Sequence, residues 1–169
     1  KLDFLRILSK HRLNLTGIDP SSSNLRIRNI KIERTFLEKF KAKKKFDLIC
    51  FFSVLEHVSS PDYFMKKISE MQNLGSKVYL EIPNTNYPFK TLAEYFNFEH
   101  ISHFNFETIS ILLKNHNYAV FKKEIKKNYI RIIAKKSKIK KKKNLKTHSN
   151  FSKMSLIVEK YKFLKKNIR

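Results

Sequence analysis

The sequence predicts an α/β fold in which strands and helices alternate and an antiparallel hairpin closes the domain. Phe46–Phe52 and Val78–Ile82 are apolar segments of strand length, and the residues between them have the pattern of one helix. Together they predict a β-α-β unit with a right-handed crossover. Only Lys126–Asn128 separates two later apolar segments, and a turn this short implies an antiparallel pair of strands.

Composition predicts one folded domain followed by a strongly basic segment. At 169 residues and 41% hydrophobic content, the chain is long enough to bury a core. Residues 135–169 hold 14 Lys and Arg against one acidic residue, which is more than half of the net charge of +23. We therefore expect a domain at 1–135 and a basic linker with an amphipathic helix at 136–169. Such a segment favours an anionic partner, either a membrane surface or nucleic acid, and the alternative is a lysine-rich surface without a partner.

Several classes of protein are disfavoured. Cys50 is the single cysteine, so the chain has neither a disulfide framework nor a zinc pattern. No run approaches the ~20 apolar residues of a transmembrane helix. The first residues mix charges into their apolar pattern and show no cleavage signal, so we expect a cytoplasmic protein.

The N-terminal third is predicted to contain a helix, a strand, a weakly indicated helix and a second strand. Residues 2–10 have helical apolar spacing without a cap in front of them. Leu13–Ile18 predicts a strand that ends at Asp19-Pro20. A weakly indicated helix at 21–28 precedes a strand at Ile30–Phe36.

The central third is organised around Phe46–Phe52, whose nearly unbroken apolar run predicts a strand buried on both faces. This strand delivers Ser53, Glu56 and His57 at its carboxyl end, where open α/β sheets bind ligands. Ser59-Ser60-Pro61-Asp62 then predicts a helix start, and Gly75 is expected to end that helix in a left-handed conformation.

The C-terminal third begins with an irregular segment at 84–105 that contains two histidines. Asn105 is expected to cap a helix that runs to about Asn115. Tyr118–Ile125 and Tyr129–Ala134 are the predicted strands of the hairpin, and a lysine-rich linker follows them. The last predicted helix is defined by Phe151, Met154, Val158, Tyr161 and Leu164 at helical spacing.

Four segments together resemble the class I S-adenosylmethionine-dependent methyltransferases, and within them the ubiquinone-biosynthesis, sugar and other small-molecule enzymes. L-T-G-I-D-P-S at 15–21 resembles the second strand of that family, and F-D-L-I-C-F-F-S-V-L-E-H-V-S-S-P at 46–61 resembles the fourth. K-V-Y-L-E-I-P-N at 77–84 resembles the fifth strand, and E-H-I-S-H-F at 99–104 precedes the last helix and hairpin. The resemblance covers about residues 1–135 and implies a Rossmann-like sheet with helices on both faces.

The resemblance implies methyl transfer from S-adenosylmethionine to a small molecule or sugar. Asp19 would accept hydrogen bonds from the cofactor ribose beside Pro20, and Phe36 would cover the adenine. Phe51, Phe52 and Ser53 would run beside the methionine part.

Two histidines are candidates for the base that removes a proton from the methyl acceptor. His100 and His103 carry imidazoles, which titrate close to neutral pH. The alternative for each is a surface or core-edge histidine without a catalytic role.

A metal ion is not expected from the sequence. In the ubiquinone branch the segment that matches Ser53–His57 reads E-x-x-E-H and can hold a divalent cation. Ser53 replaces the first glutamate here, so only Glu56 and His57 remain, and two ligands are too few.

The main departure from the family is the missing glycine-rich loop. Gly17 and Gly75 are the only glycines, and neither lies between a first strand and a first helix. The resemblance therefore implies that the first strand and its loop lie before Lys1, and that the chain as given is an N-terminally truncated fragment that binds cofactor poorly. Two alternatives to a small-molecule enzyme stay open. One is a degenerate methyltransferase-like module that binds an anionic partner through its basic tail, and the other is an enzyme that methylates RNA or another macromolecule.

Overall fold

The computed structural model describes residues 4, 7–11, 13–21, 30–86 and 99–138. The chain divides into two compact units, Lys1–Lys45 and Phe46–Arg169. Residues 22–28 and 151–164, which cover nearly all of two predicted helices, lie outside the described residues, as do residues 2, 3, 5 and 6 of the helix predicted at 2–10. Within the described ranges, no helix is both long and apolar enough to cross a membrane.

The first unit contains two short parallel strands, β1 (Thr16–Ile18) and β2 (Lys31–Glu33). The strands predicted at Leu13–Ile18 and Ile30–Phe36 are therefore present but shorter. The ladder continues for one more bond, from the Asp19 N–H to the Glu33 carbonyl at 3.2 Å. Pro20 has no N–H to donate, so the pairing ends there.

The second unit contains a four-stranded mixed sheet with the order β3, β4, β6, β5. β3 pairs in parallel with β4, as the predicted β-α-β unit requires, and β6 pairs antiparallel with both β4 and β5. The predicted C-terminal hairpin is thus confirmed. The strands are β3 (Leu48–Phe52), β4 (Lys77–Pro83), β5 (Tyr118–Ile125) and β6 (Tyr129–Lys136).

Within the described part of this unit, both α-helices begin where their caps predict. In α1 (Pro61–Glu70) the Ser60 side chain accepts a hydrogen bond from the Tyr63 N–H. In α2 (Phe106–Asn115) Asn105 and Thr108 form a reciprocal capping box.

Gly75 plays a different role from the one predicted. It is left-handed, with φ of 90°, but α1 already ends at Glu70. Gly75 lies instead in the turn into β4, where its N–H donates to the Lys136 carbonyl at 2.8 Å. The helix stops early because Gln72 turns inward to bond the backbone of Phe46 and Lys77.

The core of the second unit, as far as the structure describes it, lies between one face of the sheet and the helices α1 and α2. Alternate residues of β4 and β6 are buried on this face, as a period of two requires. The helices contribute buried side chains from the facing side. The core side chains are Val78, Leu80, Ile82, Ile130, Ile132, Ala134, Phe64, Met65, Ile68, Ile109 and Leu113.

The expectation that β3 is buried on both faces is wrong. Phe51 is its one buried residue, whereas Leu48 is exposed and Cys50 and Phe52 are half-buried. β3 lies at one edge of the described sheet. Both described helices of this unit pack over the sheet face that holds Phe51, and Cys50 and Phe52 lie on the other face.

A buried polar network closes the amino ends of β3 and β4. The Gln72 amide nitrogen donates to the carbonyls of Phe46 and Lys77 at 3.3 and 2.7 Å, and its oxygen accepts the Tyr118 hydroxyl at 2.6 Å. Lys136 Nζ donates to the backbone carbonyls of Ser69 and Gln72. Burial raises the pKa of Tyr118, so its hydroxyl remains a donor.

The opposite edge of the sheet, β5, is interrupted. A β-bulge lies between Val120 and Lys122, and Phe121 is 68% exposed there. Lys77 Nζ lies 5.6 Å from the centre of the Phe121 ring, at cation–π distance.

Candidate functional site

Asp19 lies immediately after β1, at the carboxyl edge of the two-stranded parallel sheet. Its Oδ1 accepts hydrogen bonds from the Ser21 N–H at 2.8 Å and the Ser21 hydroxyl at 2.7 Å. The Pro20 carbonyl between them accepts from Arg34 Nε at 3.3 Å. These bonds hold the half-buried carboxylate in one orientation.

Phe36 follows β2 at the same carboxyl edge, because parallel strands end on the same side. Its ring is 60% exposed. In the first unit, two of the predicted residues, a carboxylate and an exposed aromatic ring, therefore follow strands that end at the same edge of the sheet.

The predicted stretch Phe51–Ser53 ends β3 in the second unit. Phe51 is buried in an edge-to-face contact with Phe64, with ring centres 5.3 Å apart. Phe52 packs on Tyr79. Both rings therefore pack against other aromatic side chains of this unit.

Ser53 has a left-handed backbone with φ of 48°, while its N–H donates to the Glu81 carbonyl at 2.9 Å. A residue with a Cβ adopts this conformation only where its surroundings enforce it, and such positions cluster at functional sites. The turn at Ser53 redirects the chain from β3 into a short 3-10 helix at Leu55–His57.

The short helix buries a carboxylate at the end of the sheet. Leu55 anchors it in the core, and Glu56 is only 2% exposed. His57 lies at its end with Nε2 3.9 Å from Glu56 Oε1.

The segment 99–103 packs against this short helix. The Ser102 N–H donates to the Glu56 carbonyl at 3.0 Å, and His57 Nδ1 lies 2.8 Å from the Glu99 carbonyl. The His57 and His100 rings meet edge to face, with centres 4.9 Å apart.

The structure thus places His100 beside Glu56 and His57, the two potential metal ligands that were too few in the sequence alone. Ligand atoms of Glu56, His57 and His100 all lie within 4.8 Å of one another. Sequence reasoning named all three residues but not this group, because nothing local shows that residues 43 positions apart along the chain meet. The dense E-H-I-S-H pattern at 99–103 was the signal available.

Both candidate bases favour the neutral imidazole. Burial lowers the pKa of His100, and the neighbouring His57 and His103 lower it further against the opposing effect of Glu99. Burial also lowers the pKa of His103.

Burial raises the pKa of Cys50 to about 11, so this thiol is not a nucleophile at neutral pH.

Solved structures share this fold. The N-methyltransferase NodS from Bradyrhizobium japonicum WM9, in complex with S-adenosyl-L-homocysteine, matches with a TM-score of 0.63 and 16% identity over 80% of this chain and 72% of its own. A SAM-dependent methyltransferase from Aquifex aeolicus gives 0.64 and 12% over 80% and 76%. The 1,6-didemethyltoxoflavin-N1-methyltransferase of Burkholderia thailandensis, with bound 1,6-didemethyltoxoflavin and S-adenosylhomocysteine, gives 0.63 and 10% over 79% and 65%. Identities this low show the fold, which confirms the predicted class.

The family follows from the sequence itself. No curated protein sequence matches the chain significantly. The sequence profile of a methyltransferase domain, however, matches residues 3–123. Because this match covers well over half of the chain, the chain belongs to the class I S-adenosylmethionine-dependent methyltransferases.

Proposed function

We propose that this domain transfers a methyl group from S-adenosylmethionine to a small-molecule acceptor. The observation that carries the proposal is the placement of Asp19 and Phe36 together at one carboxyl edge of parallel strands. The bound S-adenosylhomocysteine of NodS and of the didemethyltoxoflavin enzyme supports the cofactor, and the small-molecule substrate of the second supports the acceptor class.

The first unit fits the adenosine part of the cofactor. A carboxylate accepts up to about four hydrogen bonds, so ribose hydroxyls are compatible with both bonds from Ser21 to Asp19. The exposed Phe36 ring offers the apolar face that an adenine stacks on. Pro20 contributes the adjoining backbone.

In the second unit, taken by itself, the candidate cofactor contacts are made by the backbone. Because the rings of Phe51 and Phe52 pack against other aromatic side chains, we assign the contact beside the methionine part to the main chain of Phe51–Ser53. The left-handed turn at Ser53 redirects the chain at the carboxyl end of β3, where parallel strands present their ligand-binding loops.

When bound, S-adenosylmethionine supplies a methyl group activated on a sulfonium. The protein aligns the acceptor and excludes water. If the acceptor is a hydroxyl, His103 or His100 takes its proton, and the lowered pKa of each keeps the imidazole neutral at pH 7.

Calorimetric titration with S-adenosylhomocysteine tests the proposal. We expect Asp19→Ala to weaken binding at least tenfold, because a bidentate hydrogen bond to the ribose is lost. Glu38→Ala is the matched control, since it removes an exposed carboxylate of the same unit outside the β1–β2 edge. Equal affinity of Asp19→Ala and wild type would contradict the assignment.

The glycine-rich loop enters the same experiment. Its expected place before Lys1 stays a prediction, so the titration is repeated on the protein extended by the preceding coding sequence. Tighter binding by the extended protein supports the expected loop. Absence of binding by both proteins would reject the cofactor.

A second candidate function rests on the basic composition of residues 136–169. We propose that this segment contacts an anionic partner, on the basis of its 13 Lys and Arg against one acidic residue, a net charge of +12. Deleting residues 139–169 should abolish association with anionic vesicles and with RNA, and the salt dependence of any RNA binding should fall. Unchanged association would show that the segment is not a binding element.

The cytoplasmic location expected from the sequence stays a prediction.

A further inference from the structure

We propose that Glu56, His57 and His100 bind a first-row divalent transition-metal ion, of which Zn²⁺ is the simplest case. Their ligand atoms lie within 4.8 Å of one another at the carboxyl end of β3. One carboxylate and two imidazoles are a ligand set that zinc and non-haem iron both accept, with further positions left for water or a ligand.

The hydrogen bond to Glu99 fixes the form of His57. A backbone carbonyl can only accept, so the 2.8 Å contact requires a proton on Nδ1. The lone pair of the neutral ring is then on Nε2, the atom that lies 3.9 Å from Glu56 Oε1. Metal-binding histidines typically donate their second ring nitrogen in this way, which orients the ring before the metal arrives.

The carboxylate is placed where a cation is favourable. Glu56 is 2% exposed, and a buried carboxylate is costly unless positive charge or donors face it. The imidazole rings of His57 and His100 lie beside it. A divalent cation between these groups offsets the charge of Glu56.

The two segments that supply the ligands are already joined. The Ser102 N–H donates to the Glu56 carbonyl, and the His57 and His100 rings are in contact. Ligand atoms around a tetrahedral metal at ~2.1 Å are about 3.4 Å apart, so the side chains need to close by about 1 Å. The His57 side chain is 38% exposed, which leaves an approach from solvent.

A metal at this position also bears on the proposed methyl transfer. It occupies His100 and leaves His103 as the base, and this consequence alone rests on the proposed function. Metal binding itself is measured with the metal alone and does not depend on cofactor or acceptor.

The test uses the whole chain, purified without a polyhistidine tag. Zn²⁺ is titrated calorimetrically, and Co²⁺ is titrated by visible absorption, which reports imidazole and carboxylate ligation directly. We expect one equivalent to bind, and we expect His57→Asn and His100→Asn each to weaken binding at least tenfold. His11→Asn, in the other unit, is the matched control and should bind as wild type does.

A second measurement guards against variants that fail to fold. The thermal unfolding midpoint of the wild-type protein should rise with excess Zn²⁺ relative to EDTA, because a ligand that binds the native state stabilises it. Glu56→Gln, which preserves the side-chain shape, should lose this rise. Absence of Zn²⁺ binding and of a thermal shift in wild type would overturn the proposal, as would equal binding by His57→Asn, His100→Asn and His11→Asn.

Discussion

The two ends of the four-stranded sheet hold polar side chains of different kinds. At the amino ends of β3 and β4, Gln72 and Tyr118 are buried and bonded to each other and to backbone carbonyls. At the carboxyl end, Ser53 is left-handed, Glu56 is a buried carboxylate, and His57 lies in ring contact with a second histidine.

The polar groups at the amino end stabilise the fold, whereas those at the carboxyl end can bind ligands or protons. Amide and hydroxyl groups of the amino-end network remain neutral near pH 7, so they fix the strands without responding to ligands or protons. Carboxylate and imidazole groups change charge or bind cations, and they lie where parallel strands present their ligand-binding loops. Substitutions at the amino end should therefore change unfolding, and those at the carboxyl end should chiefly change binding.

The largest expected effect is that of Gln72→Leu at the amino end. It leaves the Tyr118 hydroxyl and two backbone carbonyls without their partner, which should lower the free energy of unfolding by about 2–4 kcal/mol. Urea denaturation measures this loss. Asn73→Ala, at the exposed neighbouring position, is the control and should change stability by less than about 0.5 kcal/mol. Similar losses of unfolding free energy in both variants would show that the amino-end network contributes no more to stability than an exposed neighbouring residue.

Tyr118→Phe should cost about 1–2 kcal/mol, because it removes only the hydroxyl that Gln72 accepts and keeps the ring. A double-mutant cycle with Gln72→Leu should show coupling between the two sites. Zn²⁺ affinity of the folded variant should equal that of wild type. Additive losses would mean that the two side chains act independently.

At the carboxyl end, Ser53 should distinguish backbone strain from side-chain chemistry. Ser53→Val should be less stable than Ser53→Gly by more than about 1 kcal/mol, because a β-branched residue resists a φ of 48° that glycine adopts freely. Chemical denaturation of both variants measures the difference. Equal stabilities would show that the turn relaxes.

The smallest effect concerns pH. The pKa of His103 is lowered in the folded state, so the unfolded chain binds more protons below its ordinary value of about 6.5. Stability is full above that pH and is lost as pH falls through the folded pKa. His103→Gln should reduce the drop in the urea midpoint between pH 7.5 and 5.5, measured in EDTA. Ile101→Gln, an exposed position of the same segment, should keep the wild-type drop.

Local signals predicted much of the fold. Ser60 and Asn105 gave correct helix starts because a cap bonds the backbone of its own first turn. The hairpin was equally predictable from the sequence, since the segment Lys126–Asn128 is too short for any other connection between two strands. The end of α1 and the role of Gly75 were missed, because Gln72 is drawn inward by strands distant in sequence.

The candidate site was predictable residue by residue but not as an arrangement. Asp19 and Phe36 could be placed at strand ends from pattern and resemblance. The meeting of His57 with His100 depends on the path of the chain between them, which no periodicity encodes. The burial of β3 was misjudged for a similar reason: an apolar run does not tell what covers it.

The bulge in β5 has a consequence for self-association. An edge strand with a regular row of unpaired N–H and carbonyl groups is a template for a strand from another molecule. Here the register shifts between Val120 and Lys122, and Lys122 and Lys123 follow directly. Phe121, the most exposed apolar ring on this edge, has Lys77 over it. A second copy approaching along β5 meets a broken ladder and like charge, so this edge of the sheet resists growth into aggregates.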